Sequence, residues 1–213
     1  GDVYKRQEFR GPKTSHSCFF GPENAVKHAL RFCPRKSKRK EIKTVMLTVM
    51  KFGGSSVADL AHIRNVAQRC IEKQQAGSQV VVVLSAMGKT TDGLIATAKQ
   101  ITEKPSRREM DMLLATGEQV SVSLMAITMI QMGVSAVSLN AWQVPMHTTS
   151  DYQNARFKRI DTERIRKELD DNKIVIVTGF QGINKYDDIT TLGRGGSCLL
   201  YTSPSPRDGA TSR

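Results

Sequence analysis

A chain of 213 residues with 39% apolar content has room for one domain with tails and a real core. The net charge of +12 is unevenly spread: residues 1–45 hold 12 Lys/Arg against 4 Asp/Glu, whereas residues 46–198 hold 18 against 15. The basic run "RKSKRKEIK" (35–43) therefore reads as a solvated extension rather than a nucleic-acid arm, and no run of roughly 18 apolar residues argues for a membrane span.

Residues 46–198 read as the folded domain, between the basic extension 1–45 and a tail at 199–213. "VMLTVMKF" (45–52) is a β-rich run closed by Gly53 and Gly54. Ile63, Val66, Ala67, Cys70 and Ile71 follow at helical spacing, and Gly77 ends that helix. "VVVVL" (80–84) lacks polar alternation, which predicts a strand buried on both faces of a parallel sheet. Helices are predicted over 92–101 and 107–132, the second ended by Gly133. A strand follows at 134–139, then a helix over 161–171 with Asp161 as N-cap, and a last strand at 173–177. The order β-α-β-α-α-β-α-β predicts a layered α/β fold with a mostly parallel sheet.

The cysteines at 18, 33, 70 and 198 show no metal-ligand spacing; Cys70 belongs to a helix core, and a reducing cytoplasm is the expected compartment. Residues 1–45 contain no secretory hydrophobic segment, and Asp2, Glu8, Glu23 and Glu41 argue against a transit peptide.

Glycine-rich polar sequence follows the apolar strands: "KFGGSS", "SAMGKTTD" and "TGFQG". In open α/β sheets such loops converge on one crevice at the carboxyl ends of the strands. Two phosphate signatures fail. A Walker A loop ending in Gly88-Lys89-Thr90 needs glycine at 83, where valine stands, and a dinucleotide fingerprint starting at Gly193 needs glycine at 198, where Cys198 stands. "KFGGSS" (51–56) fits better: Lys51 beside two glycines offers a cation and close backbone to phosphoryl oxygens. The competing reading is a plain strand-to-helix turn capped by Ser55 or Ser56. Glu118, in "LLATGEQVS", is either a clamp for a substrate ammonium or the partner of an arginine. His147 reads as a hydrogen-bonded loop residue, "GFQG" (179–182) as a turn, and "ITTLGRGGS" (189–197) as an anion loop around Arg194.

Taken in order, "KFGGSSVAD", "VVVLSAMGKTTDGL", "REMDMLLATGEQVS", "TTSDYQNARF", "VIVTGFQGIN" and "ITTLGRGGS" resemble the catalytic domain of the aspartate kinases, most closely the lysine-sensitive bacterial type, within the amino acid kinase superfamily. The resemblance spans residues 46–197. It implies a three-layer α/β/α sandwich with a mostly parallel sheet. It also implies transfer of the ATP γ-phosphoryl to the side-chain carboxylate of L-aspartate, the entry to lysine, threonine and methionine biosynthesis. Lys51 then corresponds to the catalytic lysine, with Phe52, Gly53, Gly54 and Ser55 in the phosphate loop. Ser85, Thr91, Glu118, Phe180, Arg194 and Ser197 fall on the aspartate side. Mg²⁺ would arrive on ATP, without a protein metal site.

The family pattern has aspartate where Cys198 stands. "LLYTSPSPRD" and the opening "DVYKRQ" resemble translated linker DNA, with Met46 or Met50 as the expected start. On this reading the chain lacks the family's adenine-binding half and the regulatory ACT domains through which the parent enzyme oligomerises, and it is expected to be inactive alone. Two rivals are a non-catalytic fragment with a polyanion-binding arm and a sister kinase acting on another acid.

Overall fold

The structure, a computed structural model, describes residues 45–193. The basic extension, Arg194, Ser197, Cys198 and the tail lie outside the described residues.

In chain order, β1 (Leu47–Phe52) runs through a 3-10 turn (Gly54–Val57) into α1 (Leu60–Gln75) and β2 (Gln79–Leu84). Next come α2 (Thr90–Ile101), α3 (Arg107–Gln131) and β3 (Ala136–Leu139), then the short strands β4 (Met146–Thr148) and β5 (Phe157–Ile160). α4 (Glu163–Asp170), β6 (Ile174–Thr178), β7 (Gln181–Ile183) and β8 (Ile189–Thr191) complete the order. The four predicted strands form one all-parallel sheet in the order β1-β2-β6-β3.

Strand alternation sorts the apolar residues into two cores. Val80, Val82 and Leu84 of β2 and Ile174 and Ile176 of β6 face α1 and α3, meeting Ile63, Val66, Cys70, Val122, Met125 and Met129. Val81, Val175 and Val177 point the other way, onto Leu169 of α4 and onto Val144 and Met146. Both faces of the sheet are therefore covered, which is why "VVVVL" carries no polar positions. Cys70 is a core residue, and burial pushes its thiol up to about 12.

Three expectations shift. By length and composition α3 is apolar enough to cross a membrane, with mean hydropathy 1.4 over an 18-residue window, against the reading that no such stretch exists. Half of that window is buried inside the fold, where it covers the sheet. Asp161 accepts a bond from the Glu163 N–H at 3.1 Å, yet the cap position is Thr162. The helix after "KFGGSS" is not capped by Ser55 or Ser56: α1 starts on Asp59, whose carboxylate accepts the His62 N–H at 2.9 Å.

A second, mixed sheet in the order β5-β4-β7-β8 had no counterpart in the sequence reading. Its strands have three or four residues, too few to show alternation, and β7 begins inside the "GFQG" expected to turn.

Backbone contacts join the loops that follow β1, β2 and β6. Ser85 N–H donates to the Phe52 carbonyl at 3.2 Å, Gly88 N–H to the Gly54 carbonyl at 3.0 Å, and Gly179 N–H to the Leu84 carbonyl at 2.8 Å. A Cβ on Gly54 would stand 2.7 Å from the Ala86 carbonyl oxygen, whereas one on Gly53 would meet nothing within 4 Å. Gly54→Ala should therefore destabilise the protein by about 1–3 kcal/mol through overpacking, and Gly53→Ala should change stability by less than about 0.5 kcal/mol. Urea midpoints measure both; equal losses would contradict the loop contact.

Candidate active site

The loops at the carboxyl end of the parallel sheet close over the middle of α3. Gly117 leaves room for the Ala86 methyl, since a Cβ at 117 would lie 3.0 Å from it. That approach lets the Ala86 N–H donate to Glu118 Oε1 at 3.3 Å. Ser121 Oγ donates to the Ser85 carbonyl at 2.8 Å and fixes the same loop from the next turn of the helix.

Glu118 is 1% exposed, and its Oε2 has no hydrogen-bond partner. Burial pushes its carboxyl up to about 7, against the pull of the Ala86 N–H. A buried carboxylate with one open oxygen is costly in a finished core, and such groups collect at functional sites.

A cavity of about 610 Å³ lies between α2 and the N-terminal half of α3. Thr91, Ile95 and Lys99 line it from one face of α2, and Arg107, Met110 and Leu114 from one face of α3. Lys104 and Pro105 contribute from the connection, Gln153 from the loop before β5, Phe180 from the β6–β7 turn and Thr191 from β8. The α3 face continues from Leu114, one turn on, to Glu118. Phe180 holds φ at +60°, a backbone state that a bulky residue adopts only when its surroundings impose it. Its carbonyl accepts the Leu192 N–H at 2.9 Å, which ties the turn to the end of β8.

The expected site residues divide into two groups. Thr91 and Phe180 share the cavity, and Ser85 and Glu118 meet through the Ala86 loop. Lys51, Phe52, Gly53, Gly54 and Ser55 stand at the end of β1. There Ser55 opens onto a separate hollow of about 340 Å³ with Ser56, His62, Asn65, Val66 and Arg69. The Phe52 ring is core, 1% exposed, and only its backbone serves the loop, through the carbonyl that receives Ser85. His147 lies on β4 rather than in a loop, with Nε2 3.1 Å from a guanidinium nitrogen of Arg159. Arg194 and Ser197 lie outside the described residues. Among the described residues no three His, Cys, Asp or Glu side chains gather as a metal seat.

One buried acid was missed. Asp111 is fully buried on α3 and accepts from two other segments. Gln153 N–H reaches Oδ1 and Oδ2 at 3.1 and 3.0 Å, Thr191 N–H reaches Oδ2 at 2.9 Å, and Thr191 Oγ1 donates to Oδ1 at 2.7 Å. Burial raises its carboxyl, and these donors offset part of the rise. The available signal was its spacing: Asp111 precedes Glu118 by seven residues, on the same buried helix face.

The chain is similar to known proteins. A profile of the amino acid kinase family matches residues 46–197. The aspartokinase of Geobacillus stearothermophilus is 56% identical over 151 residues, and aspartokinase 2 of Bacillus subtilis is 53% identical over the same length. Each alignment covers 71% of this chain and 37% of the relative, so the chain spans little more than a third of those proteins. Among solved structures, an aspartate kinase from Synechocystis superposes with a TM-score of 0.61 at 44% identity, over 71% of this chain and 24% of that one. Aspartokinase III of E. coli in complex with aspartate and ADP superposes with a TM-score of 0.62 at 24% identity, over 71% of this chain and 44% of that one, a likeness of fold.

The raised Glu118 carboxyl has a thermodynamic consequence. Between the unfolded value of 4.5 and about 7 the folded state binds more protons than the unfolded state, so stability falls as pH rises through that window. The loss is complete above pH 7 and is on the order of 3 kcal/mol. Relative to Glu118→Gln, the wild-type protein should weaken by that amount between pH 4.5 and pH 8 in urea titrations. A difference that stays constant with pH would contradict the buried, half-partnered carboxylate.

Proposed function

The chain belongs to the amino acid kinase family, and on that premise we propose that it carries the aspartate-binding part of an aspartate kinase, which moves the ATP γ-phosphoryl group to the side-chain carboxylate of L-aspartate. The observation that carries the reading is the unpartnered Oε2 of Glu118, buried at the inner end of the α3 face that lines the cavity.

Aspartate brings an ammonium and two carboxylates. An ionised Glu118 receives the ammonium, Arg194 holds a carboxylate in a two-point contact, and the Thr91 and Ser197 hydroxyls orient the substrate beside Ser85 and Phe180. The acceptor carboxylate is already ionised and nucleophilic at neutral pH, so the reaction needs positioning and charge neutralisation rather than a general base. Lys51, at the end of β1, would neutralise the phosphoryl oxygens beside the Gly53, Gly54 and Ser55 loop, a role supported by the open space that Gly53 faces. Mg²⁺ carried by the nucleotide would supply further neutralisation of the phosphate charge.

On the same reading the whole protein works in the cytoplasm on L-aspartate and ATP. Residues 46–198 form the N-terminal, aspartate-binding part of its catalytic domain, it assembles through regulatory ACT domains, and its product feeds lysine, threonine and methionine biosynthesis.

The test is calorimetric titration of the chain with L-aspartate across pH. Glu118 must lose its proton to pair with the ammonium, so affinity should rise about tenfold per unit below pH 7 and level off above it. Glu118→Gln should bind more weakly, with a flat pH profile. Absence of L-aspartate binding, or a wild-type profile as flat as the variant's, would contradict the assignment.

A further inference from the structure

Asp111 does not cap its own helix: its three donors come from the backbone N–H of Gln153 and from the backbone N–H and hydroxyl of Thr191. Those two residues belong to separate segments of chain, and both line the cavity. Asp111 itself is fully buried and does not line it. Gln153 holds φ at +65°, a state that its surroundings must impose, and the bifurcated bond from its N–H to both carboxylate oxygens supplies such a constraint. A further bond, Ala155 N–H to the Thr191 carbonyl at 3.0 Å, couples the two segments to each other.

We propose that Asp111 is a positioning residue for the aspartate site: its carboxylate holds the Gln153 loop and the end of β8 against α3 and so sets the shape of the cavity without touching the ligand. The role rests on the aspartate-kinase reading for the ligand's identity, but the tie itself does not. Charged acceptors make the stronger protein hydrogen bonds, and one carboxylate gathering three donors is a more rigid fixture than any apolar residue of that volume.

The experiment uses the 213-residue chain and Asp111→Asn, which keeps the volume but turns an acceptor oxygen into a donor facing N–H groups. Two readouts are taken: residue-resolved amide hydrogen exchange and L-aspartate titration. Exchange at Gln153 and Thr191 should accelerate at least about tenfold, while Val175 and Val177 in the central strand β6 stay protected. The dissociation constant for L-aspartate should rise by about tenfold or more. If the Asn variant opens as a whole, Thr191→Val removes one of the bonds and is read at the Gln153 amide by the same criterion. Exchange at that amide no faster than in the wild type, or faster only in step with Val175 and Val177, overturns the positioning role. So does unchanged L-aspartate affinity when the wild type binds. A wild-type chain that ignores L-aspartate while the two amides respond to the substitution overturns the aspartate reading and upholds the tie.

Discussion

The site depends on one contact, the 3.3 Å hydrogen bond from the Ala86 N–H to Glu118 Oε1. It forms only because the loop after β2 can settle onto α3, and that approach is a matter of backbone against backbone. Gly54 lies against the Ala86 carbonyl on one side, and Gly117 admits the Ala86 methyl on the other. The bond satisfies Oε1 and leaves the buried Oε2 unpartnered. A fold keeps such a group at a cost in stability, and a ligand that supplies the missing charge recovers it.

Two buried acids on one helix face have opposite situations. Asp111 is filled on both oxygens by Gln153 and Thr191, whereas Glu118, two turns further along, has Oε1 bonded to the Ala86 N–H and Oε2 unpartnered. On the same helix Met110 and Leu114 line the cavity with apolar side chains. The satisfied acid ties β8 of the second sheet and the Gln153 loop to α3 beside the cavity. The unsatisfied acid lies where the loops of the parallel sheet converge. α3 thus contacts both sheets, and its apolar length is divided between the core it shares with α1 and the cluster of Met110, Leu114 and Ala98 beside the cavity.

The parallel sheet was legible because its strands are buried on both faces. "VVVVL" and "KIVIV" permit no other environment, and the stripe from Ile63 to Ile71 announced the helix that covers them. The second sheet was not legible, because three-residue strands such as Gln181–Ile183 carry no periodicity and owe their pairing to tertiary contacts. Glu118 stood out as a carboxylate in apolar helical sequence, and the motif order assigned it to the aspartate side. Asp111, in "REMDMLL", has charged neighbours at 108 and 109 and so reads like a residue on a solvated first turn. Only the fold reveals that its side chain turns inward. Phe180 was chosen by resemblance; its positive φ, which aims it at the cavity, has no sequence signal in a residue that ordinarily avoids that state.

The most direct measurement is a residue-resolved ¹⁵N spectrum of the chain titrated with L-aspartate. If the account is right, the shifted amides cluster at Ala86, Thr91, Glu118, Phe180 and Thr191, around the cavity between α2 and α3. Shifts centred instead on Ser55, His62 and Arg69, or no shifts at millimolar ligand, would contradict it.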